Sequence, residues 1–162
     1  MPFVRISLKQ SRTPEHRRAI ADAVHSALQS AIGIPAGDRF QAIETMGGDL
    51  IVDPRFLGID RDDGAVLIEI HLSFGRSVEK KQALYRAIAA NMEQIGVEKR
   101  NVFVHLIETA MENWSFGEGV AQYVEKPPAH LGSQREPANG ERPVERSAPF
   151  TLEQIRGPKQ KV

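Results

Sequence analysis

The sequence predicts an α/β fold of the α+β kind. A duplicated β-α-β unit forms one four-stranded mixed sheet with two helices on one face, plus a short C-terminal hairpin strand. Three observations predict it. Strand-like alternation and helix-like spacing follow one another twice along the chain. The two halves also repeat: "RTPEHRRAI" (12–20) aligns with "RSVEKKQAL" (76–84) at an offset of 64, and "IGIPAGDRF" (32–40) with "IGVEKRNVF" (95–103) at an offset of 63. "IET" recurs as well, at 43–45 and 107–109. Such a unit must bury its helix and one sheet face against its twin. Right-handed crossovers then set both helices on the same side.

In chain order, Val4, Ile6 and Leu8 alternate with Arg5, Ser7 and Lys9, which is the pattern of a strand with one buried face. Thr13 and Pro14 open a helix as N-cap and first-turn proline. Ile20, Ala23, Val24, Ala27, Leu28 and Ala31 fall on one side of it, and Gly33 ends it. "RFQAIE" (39–44) is a second strand, followed by a glycine-rich connection at Gly47 and Gly48 and a long irregular stretch. In "AVLIEIHLS" (65–73), Val66, Ile68, Ile70 and Leu72 share one face. Ser77 caps a second helix with Leu84, Ala87, Ile88 and Ile95 on its apolar side, ending at Gly96. "VFVHLIE" (102–108) is apolar on both faces and is expected to be a central strand. "NWSFGEGVAQYVE" (113–125) is expected to form a turn and a last short strand.

These elements define a domain over 2–126. Residues 127–162 hold six of the ten prolines among Arg, Glu, Gly and Ser, the composition of an extended or disordered tail. Within it, "FTLEQI" (150–155) pairs Thr151 with Gln154 as a capping box, and Phe150, Leu152 and Ile155 could dock.

Composition excludes several functions. Twenty-one basic and 21 acidic residues balance to zero, which argues against nucleic-acid or membrane-surface partners. Cysteine is absent, so disulfides, thiol nucleophiles and thiolate metal sites are excluded. The chain shows no signal peptide and no membrane span, and a cytoplasmic location is expected. His16, His25, His71, His105 and His130 have no zinc-ligand spacing, so neither a metal nor another cofactor is expected. His71 and His105 are read as sheet-face residues.

Candidate chemistry begins at Pro2. If Met1 is removed, its nitrogen becomes a secondary amine, and a chain-terminal amine titrates at a pKa of about 7.7–8.0, where acid–base catalysis is effective. The other reading is a proline that starts an edge strand. Asp38, in "PAGDR", is either a turn former, as its counterpart Asn101 suggests, or a functional carboxylate. Arg76 stands at the mouth of the second helix, where a guanidinium and free helix N–H groups suit a carboxylate; its counterpart Arg12 leaves a junction role open. Trp114 and Phe116 are packing aromatics or part of a pocket.

Together, Pro2, the duplicated unit, "IPAGDRFQ", "VLIEIHLSFGRSVEKKQALYRAI" and "NWSFGEGVAQY" resemble the tautomerase superfamily, in particular its malonate semialdehyde decarboxylase branch. The resemblance spans about 2–125. It implies a homotrimer with an active site around each N-terminal proline. It further implies Pro2 as acid/base, Asp38 as the residue that orients water and tunes Pro2, and Arg76 as the holder of a substrate carboxylate. Trp114 and Phe116 would form the pocket wall. The decarboxylase pattern carries an arginine where this sequence has Phe74. One cation fewer and an apolar wall shift the expectation towards keto–enol tautomerisation of a 2-oxo acid or enol carboxylate. A decarboxylase or hydratase activity and a non-catalytic trimeric scaffold are the alternatives.

Overall fold

Alternating apolar residues set the strands, and glycine and hydroxyl caps set the helix ends. The structure, a computed structural model, describes residues 1–128; the segment 150–155, His130 and nearly all of the expected tail lie outside the described residues. Strand β1 (Phe3–Leu8) leads to helix α1 (Pro14–Ile32) and strand β2 (Phe40–Thr45). Strand β3 (Val66–Ser73), helix α2 (Val78–Gln94) and strand β4 (Val102–Thr109) repeat the unit. Between β2 and β3, short 3₁₀ turns at Gly47–Asp49 and Phe56–Gly58 break up the long connection. Thr13 and Ser77 cap the two helices as expected, their hydroxyls accepting from the N–H groups of His16 and Lys80. Gly33 ends α1 at φ 71°, left-handed backbone that glycine adopts without strain.

The sheet order is β2-β1-β3-β4. β1 runs parallel to β2 and β3 parallel to β4, and the two units meet through the antiparallel pair β1–β3. Val4, Ile6 and Leu8 of β1 and Val66, Ile68, Ile70 and Leu72 of β3 are buried with Ile20, Val24 and Leu28 of α1 and Leu84, Ile88 and Met92 of α2. Both helices therefore cover one face. The other face is mixed: one row holds Arg5, Glu69 and His105, the next Phe3, His71 and Ile107.

Two expectations are corrected. β4 lies at the edge of the sheet, because its crossover sets it beside β3 and β1 already occupies the far side of β3. Its second apolar row, with Phe103 at 44% exposure, faces outward. No strand follows β4 among the described residues. A 3₁₀ turn (Met111–Asn113) and a short helix α3 (Gln122–Glu125) stand there instead. Gly117, Glu118 and Gly119 all have positive φ, which extended backbone cannot accommodate.

This topology creates two matching ends. The starts of β1 and β2 lie with the finishes of β3 and β4, since Phe3 stands opposite both Phe40 and His71. The opposite end gathers the finishes of β1 and β2 with the starts of β3 and β4. Pro2, Asp38 and Arg76 belong to the first end; Arg12 and Asn101 belong to the second.

Candidate active site

At the first end, three segments converge on the chain's N-terminus. Pro2 is buried and Met1 half-buried. The Met1 ammonium donates a 2.7 Å hydrogen bond to the phenol oxygen of Tyr123, which sits on α3. Burial pushes this amine below its usual value; the Asp38 charge opposes the shift and the Arg76 charge adds to it. Asp38 and Arg76 thus lie in the electrostatic reach of one amine, as does Tyr123.

Asp38 is carried by a turn pinned to α1. Its N–H donates to Pro35 O at 3.0 Å, and the buried His25 ring lies 3.0 Å from Ala36 O. Gln41 donates to Ala21 O, and Arg39 pairs with Asp22 at 2.6 Å. His25, read only as a residue without metal spacing, is here a brace for the Asp38 turn.

Arg76 follows β3 directly. Its guanidinium donates to the main-chain carbonyl of Ser73, and Phe74 N–H donates to Thr109 O at 3.1 Å, tying this corner to β4. Burial pushes Arg76 below the usual guanidinium range, opposed by Glu108 and Tyr123. A guanidinium stays cationic throughout the working pH range. Among the described residues no carboxylate lies within ion-pair distance of it. Phe74 is half-buried at the same end, with no ring contact to the other aromatics among the described residues.

Three rings cluster at the same end. Trp114 stacks on Phe116 with centroids 5.7 Å apart, and Phe116 meets Tyr123 edge-on at 4.7 Å. Gln122 fixes the loop beneath them, accepting from Phe116 N–H at 2.9 Å and donating to Gly117 O at 2.8 Å. Trp114 Nε1 is buried without a partner. Tyr123 was not singled out by the sequence. Burial and Asp38 push its phenol above the usual value, outweighing Arg76, so it remains protonated at neutral pH.

The matching end is built differently. Asn101, the counterpart of Asp38, is buried; its amide donates to Asp62 Oδ1 at 2.8 Å and its carbonyl accepts from Asp62 N–H at 3.1 Å. Arg12, the counterpart of Arg76, donates to Gly64 O. Hydrogen bonds from Gly64 N–H and Asn101, with the nearby Arg100 and Arg12 charges, hold the Asp62 carboxyl below its usual range despite partial desolvation. This end is a clasp for the 46–64 connection. Among the described residues no group of three or more His, Asp or Glu could hold a metal, and no helix is long and apolar enough to cross a membrane.

Comparison with known proteins agrees with this architecture. A family model described as tautomerase enzyme matches residues 38–117, and a second of the same description matches 2–49. The chain is 35% identical over 127 residues to the probable tautomerase YusQ of Bacillus subtilis, covering 77% of this chain and 100% of that protein. It is 30% identical to the probable tautomerase YrdN of the same organism, covering 76% and 97%. Among solved structures it is similar to FG41 malonate semialdehyde decarboxylase inhibited by 3-bromopropiolate. That match has a TM-score of 0.74 and 42% identity, over 78% of this chain and 98% of that one. Another malonate semialdehyde decarboxylase, described with decarboxylase and hydratase activities, matches with a TM-score of 0.71 and 30% identity, over 76% and 96%.

Proposed function

The chain belongs to the tautomerase superfamily, and on that premise we propose that it is an enzyme whose Pro2, freed by removal of Met1, moves a proton beside a carbonyl. The substrate is a small 2-oxo acid or enol carboxylate, and the reaction is keto–enol tautomerisation. One observation carries this reading. The Met1 amine, one residue ahead of Pro2, is half-buried where Tyr123 accepts its hydrogen bond and the Asp38 and Arg76 charges reach it, and burial favours its neutral form; a Pro2 amine in the same surroundings would be shifted the same way. A neutral amine is a base. Pro2 N takes the proton from one position of the substrate and returns it to the other, so the product is an isomer. Arg76 holds the carboxylate, and the Tyr123 phenol donates to oxygen as charge develops there. Asp38 keeps the amine from losing its proton affinity altogether. Trp114 and Phe116, with Phe74 at the same end, make that side of the site apolar.

A second reading has its own support. Asp38 raises the amine pKa, and two similar solved proteins are malonate semialdehyde decarboxylases. Decarboxylation or hydration would use the cationic amine, the acid form of the same group.

As a homotrimer the protein would cover Phe40 and Phe103 at the sheet edges and Ile51, Phe56 and Leu57 on the long connection, all exposed in the single chain. The scaffold alternative predicts no turnover at all.

Intact mass gives the first test, since retained Met1 would leave Pro2 N an amide. Incubation with 3-bromopropiolate then tests the amine: mass added at Pro2 with loss of turnover supports the reading. Turnover unchanged by Pro2→Ala, which keeps only a primary amine, would sink it. Assays on enol and keto 2-oxo acids and on malonate semialdehyde separate isomerase from lyase.

A further inference from the structure

The sheet's helix-covered side ends in a charge that the aliphatic pattern does not call for. In β4, Val102, Val104, Leu106 and Glu108 stand opposite Val66, Ile68, Ile70 and Leu72, all four of which are buried. Glu108 is therefore the last member of an otherwise aliphatic row, beneath the first turn of α2. In the other half the matching position, opposite Leu8, is Thr45. The recurring "IET" hides this difference: Glu44 is half exposed and pairs with Arg5 at 3.1 Å, one register away from the equivalent site.

A carboxylate this far out of water needs a partner. Lys81, in the first turn of α2, supplies it: Nζ lies 2.5 Å from Glu108 Oε2, with side-chain exposures of 27% and 18%. The second oxygen, Oε1, is buried and has no hydrogen-bond partner. Glu108 stands opposite Leu72, next to Ser73, whose carbonyl anchors Arg76. Its charge acts on Arg76 and helps keep that guanidinium cationic against burial. The corner thus holds two cations and one carboxylate, and one of those cations is already neutralised.

We propose that Glu108, held by Lys81, is a specificity-determining residue that limits the net charge beside Arg76 to one positive unit, so the site takes monocarboxylates and rejects dicarboxylates. This rests on the reading of Arg76 as the carboxylate anchor. A second substrate carboxylate placed on the Lys81 side finds an ammonium already paired with Glu108 and feels the charge of that carboxylate. Discrimination comes from the repulsive element as much as from the attractive one.

The test measures binding of propionate and succinate by calorimetry to the mature protein, with no turnover required. The wild type is expected to favour propionate. Glu108→Gln keeps the shape, frees Lys81 and should shift the succinate-to-propionate affinity ratio at least tenfold towards succinate. Lys81→Met leaves Glu108 uncompensated and should weaken both ligands, succinate more. Opposite signs from two neighbouring substitutions are not what local damage to packing would give. A ratio within twofold of wild type in Glu108→Gln, or both variants moving in one direction, overturns the proposal. If Arg76→Met leaves propionate binding intact, the anchor reading itself has failed, and this proposal with it.

Discussion

The Met1 ammonium donates to the Tyr123 phenol across 2.7 Å, joining two residues 122 positions apart at the mouth of the sheet. Tyr123→Phe keeps the edge-on contact with Phe116 and removes only the hydroxyl. With Met1 removed, the proposed mechanism has the same phenol bond the Pro2 amine; a hydrogen bond to a charged group contributes roughly 1.5–3 kcal/mol, so kcat/KM for 2-oxo acid tautomerisation should fall at least about tenfold. The phenol stabilises the charged amine as an acceptor, so its loss should also shift the acid limb of the pH profile downward. An unchanged limb with full activity would remove Tyr123 from the mechanism.

The direction of the amine's shift gives a pH prediction. Burial dominates and lowers the Met1 amine below the usual value of about 8, and a Pro2 amine in the same surroundings is expected to move in the same direction. If the neutral amine is the base, kcat/KM rises with pH through that lowered value and is level by about pH 8. A profile that falls over the same window identifies the cationic amine as the working form, and with it the lyase reading. Stability carries the same sign in protein retaining Met1. Between the lowered folded pKa and the unfolded one, the unfolded chain binds more protons, so resistance to urea should increase with pH there.

Gln122 tests whether the aromatic wall must be held in place. Gln122→Ala removes both side-chain bonds that clip the Phe116–Gly117 turn. Little of its surface is core, so the melting temperature should change by a few degrees at most. Activity should fall about tenfold or more, expressed mainly in KM, because Phe116 and Tyr123 lose their fixed spacing. Equal activity in steady-state kinetics would show the wall to be self-supporting.

The opposite end should respond in the reverse manner. Asn101→Ala leaves the Asp62 main-chain N–H and carboxylate without their buried partner. A loss of about 1–3 kcal/mol in denaturant unfolding is expected. Turnover per folded molecule should stay within about twofold of wild type, because this residue lies across the sheet from the amine. Selective loss of turnover instead would show that the two ends communicate.

Much of the fold was legible because its signals are local. Thr13, Ser77 and Gly33 act as caps as their chemistry dictates, and Val4, Ile6 and Leu8 face the helices as their alternation implies. Two apolar faces on β4 suggested a central strand, but position in a sheet is set by crossovers and neighbours, which alternation does not encode. The stretch 113–125 misled for a backbone reason: positive φ at Glu118 is rare for a side chain of its kind. Reading a strand there also hid Tyr123, although it lies in the quoted "NWSFGEGVAQY" stretch. Asp38 and Arg76 could not be paired from spacing, since 38 residues separate them in sequence. It is the antiparallel β1–β3 contact that brings their turns to one end.

That contact joins two halves of which one alone carries the chain's N-terminus. A polypeptide has a single α-amine, however many equivalent mouths its duplicated halves create. At the offset of 64 the residue matching Pro2 in the second half is Val66, whose nitrogen is an ordinary peptide nitrogen. The second mouth therefore holds no α-amine. Its asparagine and arginine hold the connection instead, Asn101 through Asp62 and Arg12 through Gly64 O.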